Sequence, residues 1–159
     1  MNQTNFFVVL VIVLSLPFAV SAMDFTHKVD VDNMTFQWKV DGDNLHVGIK
    51  AKTTSWIGIG FTPTKGMKDA NFILGYVKSG KVKITDHYGT TARQHDKDSK
   101  SGGQNNITNA AGNEANGFTE ISFTIPLNSG DAKDNAIVPD PAGSLATTAF
   151  LDDTAVQCG

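Results

Sequence analysis

The sequence predicts an all-β chain folded as an antiparallel, immunoglobulin-like β-sandwich. Three observations carry that prediction. Apolar side chains recur with a period of two in several short windows, turn residues separate those windows at regular spacing, and no window sustains the 3.6-residue apolar period of an amphipathic helix. Strands that alternate in this way bury one face each, and two sheets stacked on those faces are the stable solution.

Residues 1–22 stand apart and read as a secretory signal peptide. Phe6 to Val20 is almost unbroken apolar sequence, shorter than the roughly 20 residues of a membrane span, and Val20-Ser21-Ala22 offers small residues for cleavage before Met23. Met1 to Asn5 contains no Lys or Arg, so an uncleaved N-terminal anchor is the other reading. Only that reading would tie the chain to a membrane. Residues 23–159 form one domain, expected to be secreted or otherwise extracytoplasmic.

Within that domain Met34, Phe36, Trp38 and Val40 alternate with Thr35, Gln37 and Lys39, the pattern of a half-buried strand. Asp41-Gly42-Asp43-Asn44 is a turn, and Leu45, Val47, Ile49 and Ala51 resume the alternation, which makes a hairpin. Trp56-Ile57-Gly58-Ile59-Gly60-Phe61 is apolar on both faces and reads as a central strand, its glycines leaving room for a close neighbour. A short loop, Thr64 to Ala70, leads to a strand from Phe72 to Val77. Lys81 to Asp86 alternates again after the Ser79-Gly80 turn. Residues 89–117 are rich in Gly, Asn, Thr, Asp and Lys and read as one long polar loop, of the kind that is functional or mobile. Phe118 to Pro126 restores the strand pattern, and Leu145 to Leu151 supplies a last strand.

Composition narrows the function. The 159 residues carry 13 basic and 16 acidic side chains, a net charge of −3, which leaves no basic face for nucleic acid. The single Cys, Cys158, excludes an internal disulfide, Cys-based zinc sites and iron–sulfur clusters; it is a stray terminal thiol or an inter-chain link. No phosphate loop, nucleophile elbow or zinc-protease helix is present, so no catalytic residue is assigned. His27 and His46 fall on solvent faces near the hairpin. His87 and His95, with nearby Asp96 or Asp98, could be written as a metal site or as solvated loop residues.

Met67 stands out because methionine is normally core filler, yet this one sits in a Gly/Lys/Asp-rich loop between two apolar strands. Trp56 to Phe61, then Gly66-Met67-Lys68-Asp69-Ala70-Asn71, then Gly75-Tyr76-Val77 resembles the central motif of the DOMON domains. Asp86-His87-Tyr88, Gly102-Gly103, Phe123-Thr124-Ile125-Pro126-Leu127 and Ser129-Gly130-Asp131 follow in the family's order. The resemblance spans roughly residues 25–135. It implies a secreted or lumenal sandwich, and, as in the haem-binding members, a b-type haem with Met67 as an axial ligand to the iron. Trp56, Phe61, Phe72 and Tyr76 are then possible walls of the haem pocket, and core packing explains each equally well. The second ligand in those cytochromes is a His or Lys near the domain's C-terminal end, but no His or Lys follows Lys133 here. His87 or His95 are the substitutes available. The resemblance implies a non-enzymatic electron-transfer module serving a redox partner protein or membrane electron carrier. The alternative is a haem-free DOMON module that binds a sugar or other small molecule, or serves in interaction.

Overall fold

The computed structural model describes residues 24–151 and 154–156. The expected signal peptide and Cys158 lie outside the described residues.

Among the described residues, eleven strands build two antiparallel sheets. Sheet one contains β1 (His27–Val31), β2 (Met34–Asp41), β3 (Asn44–Ala51), β8 (Thr108–Ala115) and β9 (Phe118–Pro126), in the order β1-β2-β3-β9-β8. Sheet two contains β4 (Ile57–Phe61), β5 (Asn71–Lys78), β6 (Lys81–Thr91), β7 (Gln94–Lys97), β10 (Thr147–Leu151) and β11 (Thr154–Val156), in the order β11-β10-β4-β5-β6-β7. The sandwich expected from the alternation is therefore the observed architecture.

Register explains why the two sheets hold together. Phe36, Ile49 and Ile121 form one cross-strand row, Trp38, Val47 and Phe123 the next, and Val40, Leu45 and Ile125 a third. These rows face Ile57, Ile59, Phe61, Ile73, Val77 and Ala149 of sheet two, all buried. Each fully buried large side chain contributes roughly 1.5–3 kcal/mol through apolar burial. Gly75 lets the sheets approach: a Cβ there would stand 2.5 Å from Ile121 Cδ1. Trp38 also closes one end, donating from Nε1 to the Gly143 carbonyl at 2.8 Å and stacking on Phe36 and His27.

Three expectations change. The strand expected over Trp56–Phe61 begins at Ile57; Trp56 lies in the irregular segment between the Thr54–Ser55 bend and the strand, half-buried. The expected long loop over 89–117 instead holds the end of β6, then β7, a 3-10 turn at Asp98–Lys100, and β8. Both β7 and β8 are edge strands whose polar side chains face water, so backbone pairing fixes them and apolar alternation does not. His27 and His46 are half-buried, the latter held 2.9 Å from Thr124 Oγ1.

Candidate functional site

The loop between β4 and β5 is a fastened turn. Lys68 N donates to the Lys65 carbonyl, Thr64 N to the Lys68 carbonyl and Met67 N to the Ala92 carbonyl. Asp69 sits at φ +63° and gathers the turn's polar groups: Thr64 Oγ1 donates to its carboxylate at 2.6 Å and Tyr88 Oη at 3.0 Å. Those two donors hold the Asp69 carboxyl below its ordinary range. The turn folds back on the sheet, where Asp69 N donates to the Gly89 carbonyl and Gly89 N to the Ala70 carbonyl. The approach is so close that a Cβ on Gly89 would overlap the Met67 carbonyl oxygen at 1.6 Å. Met67, half-buried, therefore rides above Gly89, and Gly89 is paired with His95 across β6 and β7.

That pairing brings the two expected histidines to the same end of sheet two. Phe72 pairs with His87, and Gly89 with His95, so Phe72, His87 and His95 share the face turned away from the sandwich core. Phe72 is completely buried, outside the inter-sheet core, and its ring stacks on the His95 imidazole at 4.9 Å. The two imidazoles meet edge-on, Nδ1 to Nδ1 at 3.0 Å. His87 Nε2 lies 2.9 Å from Thr85 Oγ1, which directs its own proton at the Leu74 carbonyl oxygen 3.5 Å away.

This chain of contacts assigns the protons. With its hydrogen committed to Leu74, the Thr85 oxygen accepts from His87 Nε2–H. His87 Nδ1 then carries a lone pair and accepts from His95 Nδ1–H. His95 Nε2 is left with a lone pair and no hydrogen-bond partner among the described residues. Burial, reinforced by the neighbouring His95, Lys97 and Lys100, pushes His87 down to about 4, and burial also lowers His95. Both rings are thus neutral near pH 7, the form that binds metal. A ring that donates from one nitrogen to a fixed acceptor and offers the other is the usual arrangement of a metal-ligating histidine.

The remaining expected residues scatter. Phe61 is buried on the inner face of β4, in the core between the sheets. Tyr76 lies four residues along β5 from Phe72, about 13 Å at the strand rise, and is 37% exposed. With Trp56 it lines an open recess of about 380 Å³, completed by Thr54, Ser55, Ser79 and Glu114. Asp96 is exposed at the edge, and Asp98 turns away from the histidines toward Asp86 and Asp134. Thr85, which sets the protonation of both rings, escaped sequence reasoning. Its signal was the alternation itself, which places residues 85 and 87 on one face.

Comparison with known proteins gives the following. The DOMON domain profile matches residues 30–145. DBH-like monooxygenase protein 1 of Mus musculus is 25% identical over 116 residues, covering 71% of this chain and 18% of the relative. Its Homo sapiens counterpart is 27% identical over 100 residues, covering 63% and 16%. The chain thus spans less than a fifth of these relatives. Among solved structures, the cytochrome domain of Myriococcum thermophilum cellobiose dehydrogenase superposes with a TM-score of 0.51 at 13% identity, over 77% of this chain and 65% of that one. The cytochrome b domain of pyranose dehydrogenase from Coprinopsis cinerea also gives 0.51, at 16% identity, over 73% and 60%. These two likenesses concern the fold.

Proposed function

The chain belongs to the DOMON domain family, and from that footing we propose that it is an extracytoplasmic electron-transfer module carrying haem b, with Met67 and His95 as the axial ligands. The observation that carries this reading is the free Nε2 of His95, aimed by the His87–Thr85 relay on the sheet end that the Met67 turn crosses. The family and the two cytochrome-domain neighbours support it.

Bound haem would supply a one-electron couple, and a soft thioether donor such as that of Met67 would raise its potential. The chain's own part is positional. His87 holds the His95 ring through Nδ1, Phe72 stacks against that ring, and the Asp69 carboxylate ties the Met67 turn through Thr64 and Tyr88. His87 uses both of its nitrogens inside the chain, which leaves His95 as the available imidazole. Bond-making chemistry falls to a separate redox partner, a protein or a membrane carrier. Residues 1–22 direct export. Among the described residues no helix is long and apolar enough to cross a membrane.

A second reading rests on the Trp56–Tyr76 recess, where two aromatic faces border Thr, Ser and Glu side chains. Such a surface suits a sugar or similar polar small molecule in a haem-free module. An absorption spectrum separates the two. The first reading expects a Soret band on purification or after adding hemin, with the reduced spectrum altered by Met67→Ala and by His95→Ala, and kept in His46→Ala. A colourless protein that takes up no hemin refutes it and leaves the recess, tested by quenching of tryptophan fluorescence with oligosaccharides.

A further inference from the structure

β6 directs Asp86 toward the sandwich interior. In the row of register partners Ala149, Ile59, Ile73 and Asp86, three are core residues and the fourth is a carboxylate. Asp86 is 4% exposed; its Oδ2 accepts from the Asn106 amide at 3.0 Å, and its Oδ1 is buried without a partner. Two further carboxylates arrive from distant segments: Asp98, which opens the 3-10 turn after β7, and Asp134, in the loop after β9. One oxygen from each of the three lies within 4.8 Å of the other two.

Asp98 is 0% exposed, and no N–H or O–H among the described residues donates to either of its oxygens. Its polar neighbours are the Asp86 and Asp134 carboxyls, and with Asp134 it could share only a proton. Asp134 Oδ2 accepts from Ser129 Oγ at 2.8 Å and from Asn106 Nδ2 at 3.5 Å, while its Oδ1 is buried and unpartnered. A separate observation points the same way. Asn71 Oδ1 is also buried with no partner, on the inner face of β5, where the Asn71–Tyr88 pair is the next same-face rung after Ile73–Asp86.

Buried carboxylate oxygens that nothing neutralises must hold protons or a cation. The donors are all oxygen, with no sulfur or imidazole, which selects a hard divalent ion. Oxygens within 4.8 Å of one another fit in one Ca²⁺ coordination sphere at about 2.4 Å from the ion, and Ca²⁺ accepts the irregular geometry of side chains from three separate segments, whereas Mg²⁺ demands a near-ideal octahedron. We propose that Asp86, Asp98 and Asp134 form a calcium site that staples β6, the turn after β7 and the loop after β9. The site is independent of haem and lies on the opposite side of β6 from the histidine cluster.

Metal-free full-length chain, prepared with EDTA and held in KCl, is melted with and without CaCl₂. The expected result is a saturable rise in Tm, about 10 °C once Ca²⁺ exceeds its Kd about a hundredfold. Asp98→Asn and Asp86→Asn keep the shape and remove the charge; they are expected to melt no lower than the parent in EDTA and to lose the calcium response. A parent whose Tm and titration heats stay unmoved at about 10 mM CaCl₂, above the usual Kd of extracellular calcium modules, overturns the proposal. So does an Asp98→Asn response equal to the parent's. If Asp98→Asn does not fold, Asp134→Asn decides by calorimetric titration: lost binding supports the site, retained binding overturns it.

Discussion

Gly89→Ala isolates the contact on which the Met67 turn depends. An added Cβ would sit 1.6 Å from the Met67 carbonyl oxygen and 2.6 Å from its carbon, both backbone atoms that no rotamer change can clear. The cheapest escape is for the turn to lift off the sheet. Lifting breaks three backbone hydrogen bonds: Met67 N to Ala92 O, Asp69 N to Gly89 O and Gly89 N to Ala70 O. At about 1 kcal/mol each the loss is about 3 kcal/mol, or a Tm lower by about 10 °C for a domain of this size. Gly80→Ala is the control. Gly80 has φ +71° with nothing within 4 Å of its virtual Cβ, so it should cost only the left-handed strain, about 1–2 kcal/mol. Urea denaturation followed by tryptophan fluorescence gives both values, and hydrogen exchange at the amides of Met67, Asp69 and position 89 reports whether the turn has lifted off the sheet. A Gly89→Ala loss no larger than that of Gly80→Ala, with those amides still protected, refutes the argument.

Two further outcomes can be measured. Nitrogen–proton correlation spectra of the apoprotein near pH 7 are expected to show His87 protonated on Nε2 and His95 on Nδ1; the reverse assignment removes the free nitrogen on which the haem reading stands. Without calcium, stability should fall between about pH 6.5 and pH 8. Burial, with Asp86 and Asp134 alongside, pushes Asp98 from 3.8 up to about 8, so the folded chain keeps a proton there that the unfolded chain has released. Asp86, itself pushed up to about 7 by burial, acts in the same sense, and the charge of Asp131 adds to the upward push on both carboxyls. Below about pH 6.5 the depressed His87 works the other way, so the clean window lies above it. Urea melts in EDTA across that window check the sign; stability rising with pH contradicts it.

The strands legible in the sequence are those whose partners bury them. β2, β3 and β9 alternate because one face lies on the core, and β9 spans the expected residues Phe118–Pro126. β8 carries no apolar side chain larger than alanine, since it hangs on the edge of β9. Its one local signal was Asn116-Gly117, both at positive φ, the dipeptide of a tight hairpin. β1 is shorter, five residues, and half-exposed. The site was partly legible. Met67, His87 and His95 attracted notice for their residue types, and the pairing of Gly89 with His95 joins them. Their order of use was hidden, because it depends on Thr85 and on which nitrogen faces which. The carboxylate cluster was hidden for a different reason. Asp98 was read beside the histidines and Asp86 as part of the Asp86-His87-Tyr88 motif, but Asp134 comes from a loop beyond β9, and no local pattern encodes a contact over that distance.

Phe72 and both imidazoles sit on the outside of sheet two, while the seam between the sheets is filled by a separate set of aliphatic and aromatic side chains, joined at Asp86 by a carboxylate. Folding and loading are consequently separable. A lineage could gain, lose or exchange a ligand on this outer surface without having to rebuild the interior that holds the fold together. One scaffold can then serve pigmented and unpigmented descendants alike.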